Sequence, residues 1–293
     1  MPELRARAVA WPVLLILATA PLGEAAGFQR AHRRLEGPDG PPVLPIYGIG
    51  QDTTGYLWLA TEAGVGRYDG LGYRNWSQKA PRDRPMSIVT GPLGEVLMLD
   101  QGGALMRVAG SRVEPLPGPE GTPLVDVEAA AFGPDGALWV AGADSLRVRR
   151  ADAWADARTP PGMRVHFVAP VSSDAALVAT ATGVHRLAPD GTIKPLHPSP
   201  DAVKVLPLGN EACAILLWEG AGARLVEISA GEAHRATDVP GRPIDVVARA
   251  GTLWVSTDRY LAAVHPGRPP EITGPVDGLP AGGPMLVDRE GSL

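Results

Sequence analysis

Gln51-Asp52-Thr53-Thr54-Gly55-Tyr56-Leu57-Trp58-Leu59-Ala60-Thr61, followed by Gly64-Val65-Gly66-Arg67-Tyr68-Asp69-Gly70, holds a tight turn and two strands in a few residues. Asp52-x-x-Gly55 is turn chemistry: the glycine tolerates positive φ and the aspartate caps its own backbone. Leu57-Trp58-Leu59-Ala60-Thr61 is a run of strand formers. Gly64-Val65-Gly66-Arg67 reads as a third strand, and residues 73–77 as a variable outer one.

The pattern returns along the chain. With Gly55 as anchor, related positions are Gly94, Gly136, Asp174, Ala212, Gly251 and Gly291, at steps of 39, 42, 38, 38, 39 and 40 residues. Three residues past the anchors stand Trp58, Leu97, Trp139, Leu177, Ile215 and Trp254. Twelve past, Arg67, Arg186 and Arg224 recur, with Arg107 and Arg147 one residue out of phase. The fifth copy is aligned mainly by spacing. A period near 40 residues with about four strands per unit is that of propeller blades. The expectation is an all-β propeller of four-stranded blades, seven repeats begun and the seventh truncated at Leu293. Asp288-Arg289-Glu290-Gly291 would make its hairpin turn, leaving Ser292-Leu293 at the start of a strand that does not continue. Trp58, Trp139 and Trp254 are expected to fill the gaps between blades, and residues 28–35 to supply an outer strand.

Composition agrees. Of 293 residues, 45% are hydrophobic and 20% charged, which suits a packed core, while 36 Gly and 31 Pro supply many turns. The net charge of −5 gives no footprint for nucleic acid, and Arg33-Arg34 and Arg149-Arg150 are isolated doublets. Cys213 is the only cysteine, which rules out an intramolecular disulfide; within Ala212-Cys213-Ala214-Ile215-Leu216-Leu217 it reads as a small core hydrophobe.

Residues 1–26 read as a secretory signal. Arg5 and Arg7 precede an apolar stretch over residues 8–20, and Pro21, Gly23 and Ala25-Ala26 follow as break and cleavage site. That stretch is shorter than the roughly 20 residues needed to span a bilayer. The domain plan is a signal peptide (1–26) and a propeller (27–293), exported to the periplasm, with an uncleaved N-terminal anchor as the alternative.

The segment from Ile49-Gly50-Gln51-Asp52 through Trp58-Leu59-Ala60-Thr61 to Arg67-Tyr68-Asp69-Gly70 resembles the two-component-regulator propeller repeat, as do Asp277-Gly278-Leu279-Pro280 and Val287-Asp288-Arg289-Glu290-Gly291-Ser292-Leu293. The resemblance implies a periplasmic sensor. In that family the propeller is commonly followed by an immunoglobulin-like domain, a membrane helix and a cytoplasmic histidine kinase or diguanylate cyclase. It further implies an inner-membrane anchor and a homodimer for the full-length protein. A small-molecule or oligosaccharide signal is expected at one mouth of the ring, but the family pattern marks structural residues and designates no ligand contacts. A free periplasmic binding or scaffold propeller is an alternative. So is an enzyme, since Gly133-Pro134-Asp135-Gly136-Ala137-Leu138-Trp139 also looks like the repeat of virginiamycin B lyase-type propellers.

No catalytic, cofactor or metal residue is designated. A P-loop, a Gly-x-Ser-x-Gly elbow, a His-Glu-x-x-His helix and paired cysteines are all absent. His32, His166, His185, His197, His234 and His265 lie far apart, with His185 in a third-strand position. Asp135 and Asp190 belong to Pro-Asp-Gly turns, and Asn75-Trp76-Ser77 matches a glycosylation sequon. The chain is expected to act by binding, without turnover of ATP or GTP.

Overall fold

The computed structural model describes residues 45–76 and 84–293, apart from residues 144, 158, 161, 189, 210 and 278–281. All of these belong to one compact unit, Glu36–Leu293. The leader at residues 1–26 and the outer strand expected over 28–35 lie outside the described residues.

Six four-stranded antiparallel meanders occupy residues 46–75, 85–115, 127–156, 165–197, 202–240 and 243–273, in a propeller arrangement. Two short 3-10 turns, Pro119–Gly121 and Pro275–Asp277, are the only helical residues among those described. No described helix is long and apolar enough to cross a membrane. The innermost strands are Ile46–Gln51, Pro85–Thr90, Val127–Phe132, Val165–Pro170, Ala202–Pro207 and Pro243–Arg249.

The core is assembled between blades. Each second strand is buried on both faces, and its alternation divides its side chains between two neighbours. Leu97 and Leu99 of blade two pack with Leu138 and Val140 of blade three. Trp139 and Ala141 pack with Ala176 and Val178 of blade four, whose Leu177 and Ala179 pack with Cys213 and Ile215 of blade five. Ala214 and Leu216 then meet Leu253 and Val255 of blade six. Trp58 lies against Val96 and Met98 of blade two, and Trp254 holds the equivalent place in blade six; Trp58, Trp139 and Trp254 are 4%, 2% and 8% exposed. Trp58 and Trp139 are interblade fillers, as the repeat predicts; Trp254 is buried at the matching place, on the face of its strand turned away from blade five.

Strand pairing corrects the repeat alignment in two places. In blade five Leu208 N donates to Ala212 O and Pro207 pairs with Cys213, where Asp52 N donates to Tyr56 O and Gln51 pairs with Leu57. Glu211, not Ala212, therefore holds the anchor position, and Ala214 holds the place of Trp58; Ala214 pairs with Glu227, so Arg224, opposite Leu217, does not share the position of Arg67 and Arg186. Arg107 is in phase after all: it pairs with Leu97 as Arg67 pairs with Trp58 and Arg186 with Leu177, because the hairpin before it is longer.

The expected count of seven repeats is corrected to six blades. Residues 282–293 repeat the turn, with Asp288 N donating to Ser292 O and Gly291 N to Asp288 O, but form no strand. No described strand is placed to build a ladder with them. They run instead from blade six to blade one. Gly283 N donates to Ser256 Oγ (3.1 Å), Met285 N to Asp245 Oδ2 (2.8 Å), and Arg289 to Gln51 Oε1 (2.9 Å) and Thr53 O (2.7 Å).

The turn aspartate does more than cap. Asp52 Oδ1 accepts from Thr54 N, Thr54 Oγ1 and Tyr56 N, and Oδ2 accepts from Trp58 Nε1 at 2.8 Å. In blade three Gly133 occupies the Asp52 position, and Trp139 Nε1 is buried with no hydrogen-bond partner. Trp139→Phe should therefore cost about 1–2 kcal/mol less than Trp58→Phe, which strands the Asp52 carboxylate; denaturant midpoints measure the difference. Burial pushes the Asp52 carboxyl up, but the hydrogen bonds from Thr54, Trp58 and Tyr56 outweigh it and hold it below the usual carboxylate value. With the folded value depressed, the Asp52 contribution is complete above the unfolded value near 3.8 and is lost as pH falls through the folded one. Asp52→Asn should lower stability at pH 7 and flatten the acid limb of a stability–pH profile.

Candidate functional site at one mouth of the propeller

Each innermost strand begins with the same irregularity. Ile46 pairs with Thr61 and Gly48 with Ala60, so Tyr47 is an extra residue with no partner of its own. Met86, Glu128, His166, Val203 and Ile244 are extra residues at the matching place in blades two to six. One bulge per blade re-aims one side chain per blade, and bulges are common at barrel rims and beside binding sites. Gly48 shows how close the strands then run: a Cβ there would lie 2.7 Å from Ser87 and Ile88 backbone atoms, so only glycine fits.

The bulges share one end of the ring with the hairpins that follow the second strands. Gln101 N donates to Arg84 O, Trp218 N to Asp201 O and Asp258 N to Arg242 O, which fixes two equivalent positions around the mouth. The residue two before each bulge is Pro45, Arg84, Asp126, Arg164, Asp201 or Arg242. Arginine thus stands at blades two, four and six, and each one reaches back to the preceding blade.

Arg84 lies 5.2 Å from the Tyr47 ring centre and 3.9 Å from Glu62, which also accepts from Tyr47 Oη at 2.8 Å. Arg164 Nε donates to Glu128 Oε1 at 2.8 Å. Arg242 stacks over Trp218, 5.1 Å from the ring centre. Trp218 is 47% exposed and, with Pro200, Asp201, Ala202, Val203 and Gly220, lines a cleft of about 440 Å³. Lys204 pairs with Asp245 between blades five and six. The mouth therefore offers aromatic faces, guanidinium donors and carboxylate acceptors, a set that suits a polar ligand with a ring.

Of the residues singled out in the sequence, His166 is a bulge residue of this mouth, and those described next are not gathered here. Cys213 is buried between blades four and five, and burial pushes its thiol up to about 11, as a core residue requires. His185 Nε2 lies 3.1 Å from Thr180 Oγ1 and 3.2 Å from Thr182 Oγ1, and burial holds its ring below the ordinary histidine value. His197 Nδ1 accepts from Ser199 N, and His265 Nδ1 lies 3.1 Å from Thr252 Oγ1. Among the described residues no group of three or more His, Cys, Asp and Glu side chains is placed to hold a metal. Asp135 Oδ1 and Asp190 Oδ1 accept turn amides, and Asn75 Nδ2 donates to Ala63 O; Ser77 lies outside the described residues.

Sequence reading missed the bulge ring, although a signal exists. Tyr47, Met86, Glu128, His166 and Val203 each lie eight residues before the corrected anchor, and Ile244 seven before it, because blade six has a tighter hairpin. The spacing is regular, but the residue types are not.

No family model matches the chain, and no curated protein matches it in sequence. Solved structures resemble it in fold. A streptogramin B lyase superposes with a TM-score of 0.65 at 16% identity, over 88% of this chain and 91% of that one. A catalytically inactive virginiamycin B lyase from Staphylococcus aureus, solved with quinupristin, gives 0.61 at 16%, over 79% and 84%. The extracellular domain assigned to a hybrid two component system, BT4673 from B. thetaiotaomicron, gives 0.65 at 17%, over 85% of this chain and 36% of that one. At such identities these likenesses establish the propeller fold.

The Tyr47 hydroxyl offers a direct probe of the mouth. Its hydrogen bond to Glu62 raises the phenol above its ordinary value, since that bond is lost when the hydroxyl proton leaves, and the nearby Arg84 charge opposes the shift only in part. Glu62→Gln should move the Tyr47 titration to lower pH, observed by NMR of ring-labelled tyrosine.

Proposed function

We propose that this chain is the ligand-sensing propeller of an exported signal-transduction receptor, of the two-component sensor type, which acts by binding and leaves output to other domains. The observation that carries this reading is the ring of six bulges. One fixed backbone irregularity presents six different side chains at one mouth, an arrangement suited to selecting a ligand. Similarity in fold to extracellular domains assigned to two component systems supports it, as do the charged start and apolar run of the leader. The ligand is a small molecule or an oligosaccharide, the receptor is anchored in the inner membrane, and the full-length protein works as a homodimer with a histidine kinase or diguanylate cyclase output.

A lyase reading has one observation in its favour: the chain matches streptogramin B lyase over nearly the whole length of both. The two readings separate in one set of assays on the full chain. A fusion to alkaline phosphatase should be active only through export, and a thermal-shift screen of saccharides and small metabolites should raise the melting temperature with at least one class. Ring opening of a streptogramin B antibiotic would replace the sensor reading with the lyase one. An inactive fusion would remove the periplasmic placement.

A further inference from the structure

We propose that Trp218 and Arg242 form a binding site for a ligand with a carboxylate beside an apolar ring face, a hexuronate being the simplest saccharide of that description. The inference rests on the reading of this mouth as the ligand end and names the chemistry of one part of it.

Arg84, Arg164 and Arg242 hold the same position in blades two, four and six, and each reaches the preceding blade. Arg84 faces Glu62, and Arg164 meets Glu128. In blade five the place of Glu62 is taken by Trp218, so Arg242 reaches an indole where its counterpart reaches a carboxylate. Among the described residues the Arg242 guanidinium makes no ion pair or hydrogen bond; Arg242 meets Asp258 through its own backbone N and O.

The carboxylates of Asp258 and Glu219 are otherwise occupied. Asp258 Oδ1 accepts from Arg242 N and Oδ2 lies 3.9 Å from Arg259 Nε, while Glu219 lies 3.4 Å from Arg224. A guanidinium binds a carboxylate through two parallel hydrogen bonds. The half-exposed Trp218 ring borders the cleft and offers an apolar face to the C–H side of a sugar ring, as large amphipathic aromatics do at binding sites. Asp201, on the same cleft, then accepts ring hydroxyls. The ligand supplies the anion that blades one and three supply from their own glutamates.

The test is calorimetric titration of the full chain with sodium digalacturonate and with uncharged galactobiose. Wild type, Arg242→Gln, Trp218→Ala and, as a control away from this mouth, Arg112→Gln would be compared. All three substituted side chains are exposed, and thermal unfolding checks that each variant folds. Digalacturonate should bind at least tenfold more tightly than galactobiose. Arg242→Gln should erase that preference, Trp218→Ala should weaken both sugars at least tenfold, and Arg112→Gln should change neither. Equal affinity for the two sugars, no binding of digalacturonate, or binding indifferent to both mouth substitutions overturns the proposal. Another ligand whose binding responds to Tyr47, Glu62 or Arg84 substitutions, but not to these two, overturns it and leaves the sensor reading standing.

Discussion

A blade of this propeller can bury its second strand only if it has a neighbour on each side. That constraint organises the molecule. Leu177 and Ala179 face one way and Ala176 and Val178 the other, so a single five-residue strand, Ala176–Thr180, contributes to two separate cores. Apolar burial at about 25 cal/mol per Å² is thus shared across every interface. No blade holds a core of its own, and stability belongs to neighbouring pairs as in other repeat architectures.

The same constraint explains how the chain closes on itself. Trp254 and Ser256 on blade six and Leu57 on blade one present faces that need cover, and residues 282–293 lie along both. Their cover is incomplete: a cavity of about 310 Å³ lined by Ile49, Leu57, Pro284, Met285 and Leu286 remains. A backbone segment without a ladder donates individual hydrogen bonds, to Ser256, Asp245 and Gln51, where a strand would supply a row of them. Asp245 is central here, because its two carboxylate oxygens serve Lys204, Val246 N and Met285 N at once.

Much of the fold was legible because interblade packing imposes residue types. A position that must fill a gap selects Trp or Leu, and a turn that needs positive φ selects Gly; Gly55, Gly94, Gly136 and Gly291 have φ between 77° and 93°. Blade count and fifth-copy register were harder. Blade five carries Ala214 where others carry Trp or Leu, in a longer strand that is apolar from Ala212 to Trp218, so spacing alone placed its anchor one residue late. The seventh turn is present in sequence and in structure, but a turn does not make a blade without strands to pair. Asp52 was legible as a cap, whereas its bond to the Trp58 indole needed the folded turn.

The candidate site was illegible for a complementary reason. A bulge residue has no partner opposite it and is not held in the second-strand packing that fixes residue type. Tyr47, Met86, Glu128, His166, Val203 and Ile244 share a backbone place but range from apolar chains (Met86, Val203, Ile244) to a phenol, a carboxylate and an imidazole. A search for self-similarity passes over them because they differ. What the fold fixes at these positions is where the side chain stands, and what it leaves open is which side chain stands there. A propeller that must recognise one ligand among many gains selectivity from such positions, since they can change without disturbing any core. The arginines two residues earlier show the intermediate case: the charge recurs at alternate blades, while its partner shifts from Glu62 to Glu128 to Trp218, and the chemistry of the mouth shifts with it.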